Sequence, residues 1–206
     1  GGVGAWRNFD KSDRYTDGEV HEFKDIWRAQ HPRIAGRDGL WRGLQQAAGR
    51  AICTGTAQRY ANVVYEPVVD RAGWWLSCIL PDGKRLWYFR PQAELTDTRW
   101  GPKYDIQYEG RNNKKGGKWG TVRTYGGMLT ENVIQAMSRQ LLVEAMIRVE
   151  YAGYPIILTI YDEIVSEPMK RFGSQEDFDA HMKVQPTWAA GLPLNVDGWR
   201  KNRYRK

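Results

Sequence analysis

Cysteine, histidine and long apolar runs are all scarce in this chain, and each scarcity narrows what it can be. Only Cys53 and Cys78 occur among 206 residues, in different segments and outside any Cys-x-x-Cys pair. A zinc site or disulfide framework is therefore not expected, and a reducing cytoplasm fits best. The three histidines, His21, His31 and His181, are scattered and read as surface or core residues. No apolar run approaches the roughly 20 residues that span a bilayer, and no charged-then-apolar leader opens the chain. A soluble protein with no membrane partner is expected. An initiating Met is also missing: the first residues are Gly1-Gly2-Val3-Gly4, which predicts a further portion upstream or on a second chain.

What is present is charge and aromatic surface. There are 31 Lys and Arg against 24 Asp and Glu, a formal charge of +7, with 10 Trp and 11 Tyr. Basic residues interleaved with aromatics suit a surface that neutralises and stacks on nucleic acid. A soluble protein that happens to be basic, with its Trp residues filling a core, is the plainer alternative. At 41% hydrophobic content the chain can bury a substantial core.

The pattern along the chain predicts an α+β fold in three regions. Residues 1–60 read as helical: Asp17 is a plausible N-cap, Val20, Phe23 and Trp27 recur at helical spacing, and Pro32 ends the pattern. A second helix is expected from about Arg37 to Arg50, completing a helical hairpin with basic edges. Residues 61–125 read as β-rich, with short runs at Val63 to Tyr65, Trp74 to Leu80 and Arg85 to Phe89. Pro81-Asp82-Gly83 marks a turn between the last two. A further pair, Tyr104 to Glu109 against Thr121 to Thr124, flanks a basic, glycine-rich connection from Arg111 to Lys118. That connection is either a solvated loop or a phosphate-contacting one. Residues 126–206 begin with the longest predicted helix, capped by Thr130 and running to Tyr151, about 33 Å at 1.5 Å per residue. Gly153 ends it, a hairpin occupies Ile156 to Glu167, a helix starts at Ser174, and a last strand is expected over Leu192 to Arg200.

The hairpin carries the chemistry. Asp162 and Glu163 interrupt an apolar, β-branched run that reads as buried, and carboxylates are costly to bury unless they are paired or hold a metal. Magnesium takes one or two protein carboxylates together with substrate phosphates, and the pair meets that demand. Strand alternation would send the two side chains to opposite faces, so Asp162 is the better ligand. Taken alone, the dipeptide is weak evidence and reads more readily as a solvated turn.

Its setting is more specific. The long helix, the Ala152-Gly153-Tyr154-Pro155 linker, the apolar strand and Tyr161-Asp162-Glu163 together resemble the C-terminal palm of family A DNA polymerases, particularly phage-type members. Tyr125-Gly126-Gly127-Met128-Leu129-Thr130-Glu131-Asn132-Val133-Ile134-Gln135 is similar to the family's segment that contacts DNA near the primer terminus. Leu80 to Pro91 is similar to a phage-family hairpin between fingers and palm, and Gly1 to Trp6 to the glycine-rich turn after the nucleotide-binding helix. The resemblance covers essentially the whole chain and implies an antiparallel palm-type sheet with a long packed helix and a helical hairpin from the fingers. Residues 1–60 would then be the C-terminal part of the fingers, 61–125 a connecting region and 126–206 the palm.

The resemblance implies template-directed nucleotidyl transfer with Mg2+. Asp162 would be the catalytic metal ligand and Glu163 its acidic neighbour. Gln135, Tyr161, Asn132, Arg123 and Lys118 would contact a DNA primer-template, and a deoxynucleoside triphosphate would be the other substrate of the complete enzyme. The location implied is the cytoplasm, that of the host cell for a phage protein. Three departures bear on this. Tyr161 stands where the family has His, keeping an aromatic body and a hydroxyl but no cationic form. Glu131 stands where the family has Asn, with Asn132 one step along. The segments that supply the other indispensable Asp and the Arg, Lys and Tyr of the nucleotide helix are not in this sequence, so activity is expected to need an upstream polymerase portion. Without it, an unpaired sheet edge is expected to make the chain associate. The alternatives are a non-catalytic nucleic-acid-binding module of polymerase ancestry and, with less to support it, a metal-dependent nuclease.

Overall fold

Thr16, one residue before the expected cap, starts the first long helix. Its hydroxyl accepts from the Glu19 N–H at 3.3 Å, and Glu19 Oε2 accepts from the Thr16 N–H at 2.8 Å, a reciprocal capping box. The Thr16 N–H also holds the Glu19 carboxyl below its usual range. The computed structural model describes residues 2–98, 101–112 and 116–204. These form two compact units, Gly1–Asn132 and Val133–Lys206.

In the first unit α1 (Val3–Phe9) precedes α2 (Asp17–Gln30), α3 (Pro32–Ala35) and α4 (Leu40–Thr54). Pro32 opens α3, where its missing N–H costs nothing. The second predicted helix is α4, which starts later than expected because the chain between Gly36 and Gly39 turns tightly: the Gly39 N–H donates to the Gly36 carbonyl at 3.1 Å. Gly55, at φ +66°, closes α4 in the left-handed conformation that glycine adopts without strain.

A six-stranded antiparallel sheet follows in chain order: β1 (Gln58–Tyr60), β2 (Val63–Asp70), β3 (Gly73–Ile79), β4 (Arg85–Thr96), β5 (Lys103–Asn112) and β6 (Lys118–Thr124). The predicted hairpins are present, with Cys78 opposite Leu86 and Gln107 opposite Arg123. Pro91 is tolerated within β4 because the register shifts between Phe89 and Gln92, and a bulge frees it from donating to the ladder. The basic connection from Arg111 to Lys118 lies partly outside the described residues.

One face of the sheet buries Tyr65, Leu76, Cys78, Tyr88 and Ile106, and α4 contributes Leu44, Ala47, Ala48 and Ala51 to the same core. Glycines let the helix come close. A Cβ at Gly43 would overlap the Tyr60 ring, and one at Gly49 the Tyr104 ring. Burial pushes the Cys78 thiol up to about 12, leaving it inert at neutral pH. On the opposite face Trp75 packs on Trp87 and Phe89 with centroids 6.1 and 4.5 Å apart. Arg85 and Arg90 join them but are already paired, at 2.5 Å with Glu66 and 3.3 Å with Glu109.

α5 (Gly126–Tyr151) starts four residues before the expected cap at Thr130, which is instead buried within the helix. The cap is remote: Gln45 of α4 accepts from the Gly126 N–H through Oε1 at 3.0 Å and donates through Nε2 to the Tyr104 carbonyl at 2.6 Å.

In the second unit α5 ends as predicted at Gly153, where the Gly153 N–H reaches the Glu150 carbonyl and the Tyr154 N–H the Val149 carbonyl, both at 3.0 Å. Tyr154 is a hub: it packs on Phe172 and Phe178 and donates to Asp177 Oδ2 at 2.5 Å. Burial, reinforced by that carboxylate, pushes its phenol up. β7 (Ile156–Ile160) and β8 (Glu163–Ser166) form a separate two-stranded sheet. The hairpin expected to be buried is only half so, with Ile157 59% and Leu158 46% exposed, because no further strand pairs with it among the described residues. α6 (Gln175–Met182) takes Ser174 as N-cap. The strand expected over Leu192 to Arg200 is not formed. Its carbonyls bond to side chains instead, Leu192 to Gln185 Nε2 and Gly198 to Gln175 Nε2, and Pro193 has no N–H to offer a ladder.

Candidate functional site

The two-residue connection between β7 and β8 is built by register. Ile160 faces Glu163 across the hairpin, which leaves Tyr161 and Asp162 as the turn itself. Tyr161 takes φ +54°, the left-handed region, and its side chain is almost wholly in solvent. A large L-residue there is strained. The turn holds it because the flanking β-branched residues fix the ladder on both sides, with Thr159 opposite Ile164.

The two acids have different surroundings. Asp162 is exposed, and its carboxylate has no hydrogen-bond or ion-pair partner among the described residues. Glu163, at the start of β8, is half-buried and its Oε2 accepts from the Tyr204 hydroxyl at 2.7 Å. Tyr204 stacks on Trp199 at 5.9 Å, and the Lys201 ammonium lies 5.3 Å from the Trp199 ring. The C-terminal segment thus braces Glu163. Its Trp199-x-x-x-x-Tyr204 spacing is the signal of this brace in the sequence.

Asp162 is therefore chemically free to ligate and Glu163 is partly committed. Two adjacent carboxylates, one of them unencumbered, fit a magnesium ion that completes its shell with water and substrate oxygens. They do not make a full protein cage. No group of three His, Cys, Asp or Glu side chains is placed to hold a metal among the described residues.

The other residues singled out from the sequence are distributed over both units. Gln135 is exposed on α5 in the second unit. Asn132, in the first, is partly committed, because its Nδ2 donates to the hydroxyl of Tyr88 at 3.2 Å. Burial pushes the Tyr88 phenol up, so it stays protonated at neutral pH. Arg123 and Lys118 are exposed on β6. Arg123 stands opposite Gln107 and near Asp105, whose carboxyl is held low first by Lys103.

A set of groups that the sequence reading did not assemble lies in the first unit. Arg37, Arg42, Arg50 and Arg59 line one cavity of about 260 Å³ with Gln46 and Tyr60. The four-residue spacing of Arg42, Gln46 and Arg50 was legible as one helix stripe; the approach of Arg37 and Arg59 was not. No described helix is long and apolar enough to cross a membrane.

Compared with known proteins, the chain is 33% identical over 194 residues to the DNA polymerase of Bacillus phage SP02. The match covers 93% of this chain and 28% of that polymerase, so the chain spans under a third of the relative's length. No family model and no solved structure matches it. Identity at this level along nearly the entire chain shows that it is related to this phage DNA polymerase, matching one segment of it.

Proposed function

We propose that the chain is the C-terminal fingers and palm part of a family A DNA-directed DNA polymerase, acting in template-directed nucleotidyl transfer. Residues 1–60 belong to the fingers, 61–125 connect them and 126–206 make the palm. The observation that carries this reading is the unpartnered Asp162 carboxylate at the tip of a two-residue turn, in a chain related to a phage DNA polymerase.

Asp162 is the residue that would hold Mg2+, with Glu163 as its neighbour. The ion would supply charge stabilisation to the phosphoryl oxygens undergoing displacement. The chain's own groups do the positioning. Tyr161 offers a ring face and a hydroxyl donor to the primer strand, and Gln135 offers an amide. Arg123 and Lys118 contribute backbone-neutralising charge. Tyr204 keeps Glu163 from rotating and so fixes the field beside Asp162. Two carboxylates make half of a two-metal site, so catalysis requires an upstream portion carrying a further Asp, with primer-template and deoxynucleoside triphosphate as substrates.

The test is reconstitution. The chain is mixed with a separately produced upstream portion of the polymerase and primer extension is measured. The Asp162→Ala mixture is expected to lose about 10²-fold or more of the rate, the value of several kcal/mol of transition-state stabilisation. Equal rates for Asp162→Ala and wild type would remove the catalytic assignment. Salt-sensitive DNA affinity that ignores this substitution, with no extension in any mixture, would favour a binding module without chemistry.

A further inference from the structure

The arginine-lined cavity between α4 and β1 is a strongly basic concavity in the first unit. Four guanidinium groups, Arg37, Arg42, Arg50 and Arg59, face a single carboxylate, Asp38. Three arginines elsewhere in the unit are ion-paired: Arg7 with Asp13 and Asp17, Arg85 with Glu66, Arg90 with Glu109. Here, among the described residues, Arg37, Arg50 and Arg59 have no side-chain hydrogen bond or ion pair. Arg42 donates to the Pro102 carbonyl at 3.2 Å, as does Gln46 at 3.1 Å. Four like charges with one counter-charge among them repel one another, and an anion in the cavity relieves that repulsion.

The arrangement is preformed. Arg42, Gln46 and Arg50 follow one another at four-residue spacing on α4, a row about 12 Å long at 1.5 Å per residue. Arg37 extends it from the turn before α4, and Arg59 flanks it from β1. The Tyr60 ring fills the space left by the missing Cβ of Gly43, and its hydroxyl donates to the Asp38 carbonyl at 2.9 Å. That contact ties β1 to the turn carrying Arg37, so the arginines do not depend on a ligand to converge.

We infer that this cavity binds the phosphodiester backbone of a nucleic acid strand, contacting successive phosphates without reading sequence. Phosphates of one strand advance about 3.4 Å each along a duplex axis and lie farther apart along the strand itself, so the row is long enough to meet at least two of them. Arginine suits phosphate through its planar fork of donors. Ala47 and Tyr60 are the apolar and aromatic side chains among a lining dominated by arginine and glutamine. The inference goes beyond the polymerase reading and does not rest on Asp162, because such binding needs no metal.

The test uses the full chain and a fluorescent 20-nucleotide oligodeoxynucleotide, with anisotropy measured from about 50 to 300 mM salt in EDTA. The Arg50→Ala/Arg59→Ala variant is expected to bind at least 10-fold more weakly at low salt. Its salt slope should be shallower by about 1.4 for a single strand and 1.8 for a duplex, two charges' worth. Arg50→Lys/Arg59→Lys keeps the charge and is expected to retain the slope, which separates lost charge from lost folding. Arg85→Ala/Arg90→Ala, which removes arginines already paired within the chain, is the control and is expected to leave the slope unchanged. Unaltered slope and affinity in Arg50→Ala/Arg59→Ala would overturn the inference. So would inorganic triphosphate or a free deoxynucleoside triphosphate competing at the oligonucleotide's own concentration, since the cavity would then be a small-anion pocket. Primer extension is not read, so this inference and the catalytic assignment of Asp162 can fail separately.

Discussion

Tyr161 occupies a conformation that its side chain does nothing to justify. At φ +54° it sits where glycine or asparagine is at home, and with 91% of its surface exposed it gains no packing in return. The left-handed region costs an ordinary L-residue about 1–2 kcal/mol. Strain kept at an exposed tip beside a free carboxylate points to a partner outside the chain. Tyr161→Asn is therefore expected to raise stability by about 1 kcal/mol, seen as a higher urea midpoint at unchanged slope, while weakening primer-template binding in the reconstituted mixture. A lower midpoint would show that the tyrosine supports the fold instead. Asp70, the last residue of β2, organises the turn into β3. Its Oδ1 accepts from the Trp75 indole at 3.0 Å and from the Ala72 and Gly73 N–H groups at 2.8 and 3.1 Å. These donors, the indole foremost, hold its carboxyl below the ordinary value of 3.8. Because the folded value is the depressed one, this contribution is present above pH 3.8 and is lost as pH falls through the lower value. An Asp70→Ala variant should accordingly lose less stability than wild type when thermal melts at pH 5 and pH 2.5 are compared.

Among the elements, α5 depends most on a residue distant in sequence. The amide of Gln45 is buried and serves both a helix-terminal N–H and a strand carbonyl. Gln45→Leu keeps much of the volume but strands Gly126 N–H and Tyr104 C=O, at about 1–3 kcal/mol each. A loss of roughly 2–5 kcal/mol in chemical denaturation is expected, with a smaller loss for Gln45→Glu, which retains an acceptor; a Gln45→Leu chain as stable as wild type would refute the latch. The same pair explains what could be read from sequence. The β3–β4 hairpin, the Gly153 stop and the Ser174 cap were legible because their signals are local, a turn tripeptide, a left-handed glycine and a side chain three residues from its target. The start of α5 was not, since its cap lies 81 residues away, and Thr130 offered a misleading local one. Leu192 to Arg200 carried a strand-like composition, but what decides a strand is a partner, and glutamine side chains claim the carbonyls there. At the candidate site the Asp162-Glu163 pair and its turn were visible in the sequence. The division between a free acid and a braced one was not, because it comes from Tyr204, 41 residues on.

At the scale of the whole molecule, the two sheets differ in how their edges are managed. The six-stranded sheet has central strands paired on both sides, whereas β7 and β8 have only each other among the described residues. An isolated two-stranded hairpin is marginal in water, and unpaired N–H and C=O groups beside exposed Ile157 and Leu158 are a template for another strand. Amides of β7 and β8 should therefore exchange with solvent well before those of β3 and β4, and the chain should associate through the hairpin as its concentration rises. The sign of the salt dependence identifies the cause. With a formal charge of +7 on each copy, copies repel at low ionic strength, so edge pairing should strengthen as salt shortens the Debye length from about 30 Å at 0.01 M to about 8 Å at 0.15 M. Association driven by charge would weaken over the same range. Sedimentation velocity at both salt concentrations, with Ile157→Lys alongside wild type, separates these cases. Wild type is expected to show a concentration-dependent shift that grows with salt, and Ile157→Lys, which places a charge on the exposed edge, to remain monomeric. A wild-type chain that is monomeric at every concentration, or an Ile157→Lys chain that associates equally, would mean that the hairpin edge is not the surface through which this chain meets other strands.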